Sequence, residues 1–282
     1  MIWPQHLSTT RPRLSFVRQA RDKRPPLLLL HGVTRLWRDW DPVLPGLTLL
    51  WNIAALDHRG HGESERASSY FVTDYVADAV AFLRTDIGEP VTILGHSLGA
   101  MVAAAVAAEV PEYVKALVLE DPPFETMGTR IIGSAWQSQF KGMQTAVRGA
   151  AKGGDLAGLL ADIAIPQMDG TLKTLAQIRS KAALEWSANC LRSVDPEVFT
   201  PLIEGRWLQG YERHRVFRAI KCPTLLMQAD PAAGGALTDE DSAEAVSMIT
   251  GCRHVRFTGA SHQLHRDHSN AFLSALGNFA LQ

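Results

Sequence analysis

The chain has 282 residues, of which 46% are hydrophobic and 20% charged, and its formal net charge is -1. This balance gives no electrostatic reason to expect a nucleic acid or an anionic membrane as partner, and no apolar run is long enough to cross a bilayer. Three scattered cysteines without a CxxC pair predict neither a disulfide framework nor a zinc ribbon. Because the N-terminal segment also lacks the apolar core of a signal peptide, we expect a cytoplasmic protein.

Short runs that are apolar at every position alternate along the chain with helix-like segments. The predicted strands are 25–30, 49–56, 91–94, 114–119, 223–228 and 254–257, and the predicted helices are 74–85, 100–110 and 267–281. Strands that are apolar throughout are buried on both faces, which is typical of a parallel sheet covered by helices. The pattern predicts an α/β fold with a mostly parallel central sheet flanked by helices.

The stretch between the fourth and fifth predicted strands has a different texture. Residues 124–215 contain helix-like segments and three tryptophans, but no run that resembles a buried strand. Ligand sites of parallel sheets lie at the carboxyl ends of the strands, where an insertion between two strands can cover them. We expect a helical lid over 124–215, with 1–123 and 216–282 as the core. A helical layer elsewhere on the sheet is the alternative.

Polar residues follow the predicted strands where each strand ends. They are His31, Asp57, Ser97, Asp121, Asp230 and, after a short loop, His262. The carboxyl ends of parallel strands meet at one edge of the sheet, so this edge is where we expect a functional site.

The segment GHSLG (95–99) follows the strand 91–94 and precedes the helix 100–110. A GxSxG sequence between a strand and a helix is the nucleophile-elbow pattern, in which glycines permit a tight turn. The turn would place Ser97 at a helix N-terminus, where N–H groups favour negative charge on a bound carbonyl oxygen. Ser97 is therefore the candidate nucleophile.

A serine hydroxyl needs an adjacent base, and in this chain order the base is a histidine after the last strand. His262 follows the predicted strand 254–257 and is the candidate base. His265 and His268 complete an HxxHxxH spacing, but no acidic or thiolate ligand pattern accompanies it, so we expect no metal site. We interpret those two histidines as surface or supporting residues at the start of the last helix.

The acid that orients the base has two candidates. Asp230 directly follows a predicted strand and precedes His262, in the expected order of serine, acid and histidine. Asp121 follows the strand after the nucleophile helix and is a second position from which a carboxylate can reach His262. Chain order favours Asp230, and Asp121 stays open as the alternative.

Two N–H groups are needed to stabilise a developing oxyanion. The residue after the nucleophile, Leu98, supplies one of them. The loop that follows the first predicted strand supplies the other, with Val33 as the best-placed residue.

Taken together, four motifs resemble those of the α/β-hydrolase superfamily over nearly the whole chain. They are LLLLHG (27–32), ALDHRGHGES (55–64), GHSLG (95–99) and GASHQLHRD (259–267). The resemblance implies Ser97 as nucleophile, His262 as base, and Val33 and Leu98 as oxyanion donors. It also implies that ALDHRGHGES has a structural role. The family's acid loop often places the aspartate several residues beyond the strand. Asp230 follows its strand directly, which keeps Asp121 in consideration.

A serine at the elbow argues against epoxide opening and halide removal, which use an aspartate nucleophile in this superfamily. The expected reaction is hydrolysis of a small to medium apolar or aromatic ester through an acyl-enzyme, without a cofactor. Lactones, amides and carbon–carbon bonds are alternative substrates. A cofactor-free perhydrolase, an acyltransferase and a small-molecule receptor with a slow triad are alternative functions. The sequence does not indicate an oligomeric state.

Candidate pocket residues come from the strand ends and from the insertion. They are His31, Gly32, Trp37, Phe124, Trp136 and Trp186, with Phe140, Phe199 and Trp207 as further aromatic residues of the insertion. Aromatic residues at such spacings are also common in cores, which is the alternative reading.

Overall fold

The computed structural model of the protein describes residues 3–19, 23–167 and 170–280. The strands in these ranges are β1 (Gln5–Leu7), β2 (Ser15–Gln19), β3 (Pro26–Leu30), β4 (Asn52–Leu56), β5 (Val91–His96), β6 (Val114–Glu120), β7 (Ala164–Pro166), β8 (Leu172–Thr174), β9 (Thr224–Ala229) and β10 (Cys252–Phe257). Eight of these strands form one sheet in the order β1-β2-β4-β3-β5-β6-β9-β10, and β7 and β8 form a separate hairpin.

The α-helices of the described residues are α1 (Leu44–Leu47), α2 (Val72–Phe82), α3 (Leu98–Glu109), α4 (Ala135–Ala150), α5 (Leu156–Ala161), α6 (Leu175–Ile178), α7 (Lys181–Leu191), α8 (Thr200–Ile203), α9 (Arg213–Ala219), α10 (Asp239–Met248), α11 (Leu264–Asp267) and α12 (Ser269–Ala280). None of these helices has both the length and the hydropathy that crossing a membrane requires.

The sheet is mostly parallel, as predicted. Strand β2 runs antiparallel to β1 and to β4. The neighbouring strands β4-β3-β5-β6-β9-β10 of the same sheet all pair parallel. The six strands predicted from apolar runs correspond to β3, β4, β5, β6, β9 and β10. The antiparallel edge formed by β1 and β2 was not predicted, because neither strand has a continuous apolar run.

Helices cover both faces of the sheet, which explains why its strands are apolar at every position. Leu28 and Leu30 face the side of α2 and α3, where they join a large hydrophobic cluster. Leu27 and Leu29, one residue out of phase, face α1 and α12 in a second cluster. Each fully buried leucine contributes roughly 1.5–3 kcal/mol of hydrophobic stabilisation.

The segment 124–215 is largely helical and packs on the core. It contains α4 to α8 and the short hairpin, and helix α9 spans its predicted end at residue 215. Phe140 of α4 and Leu191 of α7 belong to the same hydrophobic cluster as Leu119 of the sheet. The segment therefore shares the core's apolar interior, and its role as a lid remains a prediction.

Candidate active site

Three strands at the centre of the sheet bring the candidate residues together. Strand β5 lies between β3 and β6 and ends directly before Ser97. Its neighbour β3 ends before His31, and its other neighbour β6 ends before Asp121. His31, Ser97 and Asp121 thus follow the carboxyl ends of three adjacent parallel strands, and His262 reaches Asp121 from the loop after β10.

Ser97 lies in a strained turn between β5 and α3. Its φ of 54° and ψ of -115° belong to a backbone region that residues other than glycine rarely adopt. The strand and helix backbones approach closely: a Cβ on Gly95 would lie 2.2 Å from the Gly99 carbonyl oxygen. A Cβ on Gly99 would lie 2.0 Å from the carbonyl oxygen of Leu30. Glycine is therefore required at both positions to hold the nucleophile elbow.

Replacing Gly99 by alanine should destabilise the protein, because the new methyl group must displace the β3 backbone. We expect a loss of about 1–3 kcal/mol or more in the free energy of unfolding, measured by urea denaturation. Gly277→Ala in α12 is the matched control, because a Cβ there meets no heavy atom within 4 Å. The control should be neutral or gain about 0.5–1 kcal/mol. Equal stability of the two variants would contradict the prediction.

The base candidate His262 is bonded to Asp121. His262 Nδ1 lies 2.6 Å from Asp121 Oδ2, and the Asp121 side chain is fully buried. The carboxylate also accepts three backbone N–H bonds, from Ala229, Ala236 and Leu237. Since four donors converge on its two oxygens, the carboxylate is fixed in place, and it fixes the imidazole in turn.

The structure places Asp121, and not the preferred Asp230, against the base candidate. Asp230 does not contact His262; its carboxylate accepts the N–H groups of Gly259 and Ala232, which lower its pKa. The physical reason is strand order. Strand β6 lies between β5 and β9, so Asp121 follows the strand next to the one that precedes Ser97. Asp230 follows β9, which is one strand farther away, about 4.8 Å.

His96 connects the elbow with the loop that carries the base. Its Nε2–H donates to the carbonyl oxygen of His262 at 2.9 Å, and the two rings are 4.6 Å apart. Burial holds the pKa of His96 well below its usual range, so the ring is neutral. A Cβ on Gly32 would lie 2.9 Å from His96 Nδ1 and 3.3 Å from Ser97 Cβ. The loop after β3 therefore lies directly against the serine.

A cluster of buried histidines fixes the predicted oxyanion loop. His31 Nδ1–H donates to the Gly32 carbonyl at 2.8 Å, and His58 Nε2–H donates to the His31 carbonyl at 3.2 Å. His61 Nε2 lies 2.8 Å from the Val33 carbonyl oxygen. In a trans peptide the C=O and the following N–H point in opposite directions. The Val33 N–H is therefore directed away from the His31 ring.

The second predicted oxyanion donor opens a helix. Leu98 is the first residue of α3, and the first N–H groups of a helix have no intrahelical acceptor. Its amide thus adjoins Ser97 at the positive end of the helix dipole. This position is compatible with the predicted role as an oxyanion donor.

The loop 55–64 is held by buried polar contacts next to the site. The Asp57 carboxylate accepts the Trp37 N–H at 2.8 Å, and burial raises the pKa of Asp57 to about 7. Arg59 forms a two-pronged ion pair with Asp78, with both N–O distances at 2.6 Å. These contacts fit the structural role that the sequence resemblance implies for this loop.

The insertion brings one of the predicted pocket residues to the base. Trp136 of α4 meets the His262 ring edge to face at 5.8 Å and stacks on Phe140 at 6.2 Å. Trp136 therefore provides an aromatic wall beside the catalytic histidine candidate.

Other predicted pocket residues are buried in the hydrophobic interior, and their part in a pocket stays a prediction. Phe124 is fully buried and packs edge to face on Phe217 at 4.8 Å. Trp37 lies in the hydrophobic cluster on the α1 and α12 face of the sheet. Phe199 and Trp207 are also fully buried. A sequence cannot tell such core residues from pocket residues, because both are large and apolar.

A buried ionic pair beside the site was not predicted. His265, interpreted above as a surface or supporting residue, is fully buried and bonded to Glu120, while His268 is exposed. The only sequence signals were the acid next to Asp121 and the spacing of His265 from His262. In the part of the chain that the structure describes, no three His, Cys, Asp or Glu side chains are placed to hold a metal ion.

Comparison with known proteins gives relatives that span most of the chain. N-formylmaleamate deformylase of Pseudomonas putida is 26% identical over 255 residues, which cover 90% of this chain and 87% of that protein. The 2-(acetamidomethylene)succinate hydrolase of Mesorhizobium japonicum is 27% identical over 192 residues, or 64% of this chain and 68% of that protein. A crystal structure of the N-formylmaleamic acid deformylase from Pseudomonas putida superposes with a TM-score of 0.76 at 21% identity, covering 98% of this chain and 100% of that one.

The family assignment combines these relatives with a match to a family model. The model described as the alpha/beta hydrolase fold matches residues 25–268, which run from β3 to α11. The mostly parallel sheet and the strand–serine–helix turn are features of the same fold. The chain belongs to the alpha/beta hydrolase family.

Proposed function

We propose that the protein is a serine hydrolase that cleaves a carboxylic ester through an acyl-enzyme. The observation that carries the proposal is the bond of 2.6 Å between His262 and the buried Asp121, beside a serine held in the left-handed elbow conformation. The candidate nucleophile and acid follow the adjacent strands β5 and β6, and the candidate base reaches them from the loop after β10. A nucleophile, a base and an orienting acid are the components that acyl transfer requires.

The reaction would proceed in two steps. Ser97 Oγ attacks the ester carbonyl while His262 Nε2 takes the hydroxyl proton, and the carbonyl oxygen becomes an oxyanion near the N–H groups of Val33 and Leu98. The C–O bond to the alcohol then breaks, and His262 returns its proton to the leaving oxygen. Water attacks the acyl-enzyme with the same histidine as base, which releases the acid and restores Ser97.

Asp121 would act through the tautomer of His262. With its Nδ1–H donated to Asp121, the neutral imidazole keeps its lone pair on Nε2, the nitrogen that must accept the serine proton. The same carboxylate stabilises the imidazolium that forms after proton transfer.

The expected acyl or aryl group is small to medium and apolar. Trp136 supports this expectation, since it lies against the His262 ring and stacks on Phe140. The test is hydrolysis of p-nitrophenyl esters from acetyl to decanoyl, with Ser97→Ala protein as the blank. Serine-dependent turnover with an optimum chain length would support the proposal. Tight binding of a ligand without turnover would instead favour a receptor.

A second candidate is hydrolysis of an amide-type bond in a substrate that carries a carboxylate. Two relatives are named for N-formylmaleamate and 2-(acetamidomethylene)succinate, and one of them covers 90% of this chain. Arg179 lies between α6 and α7 and is partly buried, and its guanidinium has no hydrogen bond or ion pair within the described residues. Burial and the nearby charge of Arg35 lower the pKa of Arg179 to about 10. Asp267 is the opposite charge that acts on Arg179, but it forms no direct ion pair with it. An arginine without a directly bonded counter-ion is suited to bind an acidic substrate group.

Arg179→Gln separates the two candidates. If the substrate carries a carboxylate at this position, KM for an N-acylated dicarboxylate should rise about tenfold or more, while rates on neutral p-nitrophenyl esters stay unchanged. Arg192→Gln, at an exposed position just after α7, is the matched control. Equal KM values for wild type and Arg179→Gln would remove the support that Arg179 gives to the second candidate.

A further inference from the structure

His265 forms the centre of a buried ionic cluster beside the proposed triad. Its Nδ1 lies 2.8 Å from both carboxylate oxygens of Glu120, and its Nε2 lies 3.2 Å from Asp39 Oδ2. The side chains of all three residues are at most 1% exposed. Two carboxylates and one imidazole are thus removed from water together.

Both ring nitrogens of His265 face oxygens that can only accept, so both must carry a proton. Burial alone would lower the pKa of His265, but the Glu120 and Asp39 carboxylates together raise it to about 9. Arg35 and the partly exposed Arg266 lie near Asp39, and the neutral ring of His96 lies 5.1 Å from His265. Asp39 also interacts electrostatically with three further titratable groups, which are His31, Asp41 and Cys190. The cluster therefore contains an imidazolium at neutral pH.

The cluster joins the two chain segments that supply the proposed acid and base. Glu120 directly precedes Asp121, and His265 follows His262 by three residues. Glu120 Oε1 also accepts the backbone N–H of His265 at 3.0 Å, at the start of α11. The ion pair thus fixes the distance between the segments that bring His262 and Asp121 together.

The same cluster extends to the helical insertion. Asp39 Oδ1 accepts the indole N–H of Trp186 from α7 at 3.2 Å. The Arg266 guanidinium lies 4.5 Å above the Trp186 ring and donates to the Asp39 carbonyl at 3.1 Å. Trp186 therefore connects α7 to the cluster, which is a contact that its prediction as a pocket residue did not include.

We infer that protonated His265 is a positioning residue, which holds the His262 loop against Asp121 through Glu120 and docks α7 through Asp39 and Trp186. The inference rests on the proposed function, since it assigns His265 a role in orienting the triad. Loss of the imidazolium charge leaves two buried carboxylates without their shared counter-ion, and the loop between His262 and α11 must rearrange.

The test measures how fast a serine-directed fluorophosphonate labels Ser97, a readout that needs no knowledge of the substrate. In labelling, the serine oxygen displaces fluoride from phosphorus, and the base takes the serine proton. His265→Gln should label about 10- to 100-fold more slowly, because a displacement of the base by about 1 Å lowers a reaction rate by about this factor. His268→Gln, at an exposed position of the same segment, should label like the wild type.

A pH profile separates positioning from a purely structural role. His265 has a raised pKa, so its contribution is complete below its ordinary value of 6.5 and is lost as the pH rises through about 9. Wild-type labelling should therefore decline above about pH 9 while circular dichroism still reports folded protein. His265→Gln should lack this decline.

Glu120→Gln tests whether the pair acts as a unit. Glu120→Gln should lower the labelling rate by a similar factor, and the double variant with His265→Gln should be no slower than the slower single variant. Independent, multiplicative losses would overturn the inference.

A spectroscopic measurement on the wild type covers the case in which the variants do not fold. With 15N-labelled histidine, the His265 ring should show both nitrogens protonated at pH 7.5 and should titrate near pH 9. A neutral His265 ring at pH 7.5, or unchanged labelling in folded His265→Gln, would overturn the inference. Failure of the fluorophosphonate to label wild-type Ser97 would overturn the proposed function, and the inference with it.

Discussion

Replacement of Ser97 by alanine should lower kcat on the best ester of the p-nitrophenyl series by about 10⁶-fold. The reason is that no other group at the elbow can form the acyl-enzyme. His262 and the oxyanion donors remain in this variant, so slow direct attack of water on the ester, with His262 as general base, would account for the residual rate. The measurement is kcat of wild type and variant on this ester, with both protein concentrations determined by absorbance and not by active-site titration.

The variant should fold as the wild type does, which makes the loss of rate interpretable. Alanine and serine both carry a Cβ, so the strain of a φ of 54° is the same for both. The backbone bond from Ser97 N–H to the Glu120 carbonyl, at 2.9 Å, does not involve the side chain. Urea midpoints should therefore be nearly equal.

Ser247→Ala is the matched control, because Ser247 is exposed on α10 and bonds only within its own helix. It should retain full activity. Substantial turnover by Ser97→Ala at unchanged stability would contradict the assignment of the nucleophile, whereas a loss of binding as well as rate would indicate damage to the pocket.

The sheet and the nucleophile elbow could be predicted because their signals are local. The apolar run Leu27–Leu30 indicates a strand buried on both faces before any partner strand is known. The small residues around Ser97 likewise reflect a close contact between a strand and the helix that follows it. Periodicity and turn chemistry are contained within a few consecutive residues.

The acid could not be decided from the chain, because the decision depends on the order of strands in the sheet. Asp121 and Asp230 both follow strands, and both lie between Ser97 and His262 in sequence. Only the pairing of β6 with β5 on one side and β9 on the other places Asp121 next to the site. Long-range pairing of this kind leaves no trace in local composition.

The burial of polar side chains could not be predicted from the sequence either. His265 belongs to a segment with many polar residues, and the sequence left open whether it is a surface or a supporting residue. Its burial follows from partners far away in the chain, Glu120 and Asp39, whose charges compensate the loss of water. The role of Trp186 depends on the same partners.

Asparagine substitution at the two candidate acids should have very different effects. Asp121→Asn should lower kcat/KM by about 10⁴-fold, since an amide cannot hold the His262 tautomer in which Nε2 accepts the serine proton. Every orientation of the new amide also turns its NH₂ group toward N–H donors, those of Ala229 and Leu237 or those of Ala236 and His262. We therefore expect a further cost of about 1–3 kcal/mol in stability, to be measured by urea denaturation.

Asp230→Asn is the control for the same chemical change at a carboxylate that does not touch the base. Its oxygens hold the N–H groups of Gly259 and Ala232, so the substitution weakens a loop bond but leaves the pair of His262 and Asp121 intact. We expect a loss of activity of less than about tenfold. If Asp230→Asn lost activity by orders of magnitude while folded Asp121→Asn kept it, the acid would have to be reassigned to Asp230. The order of the strands would then not determine which carboxylate serves the histidine.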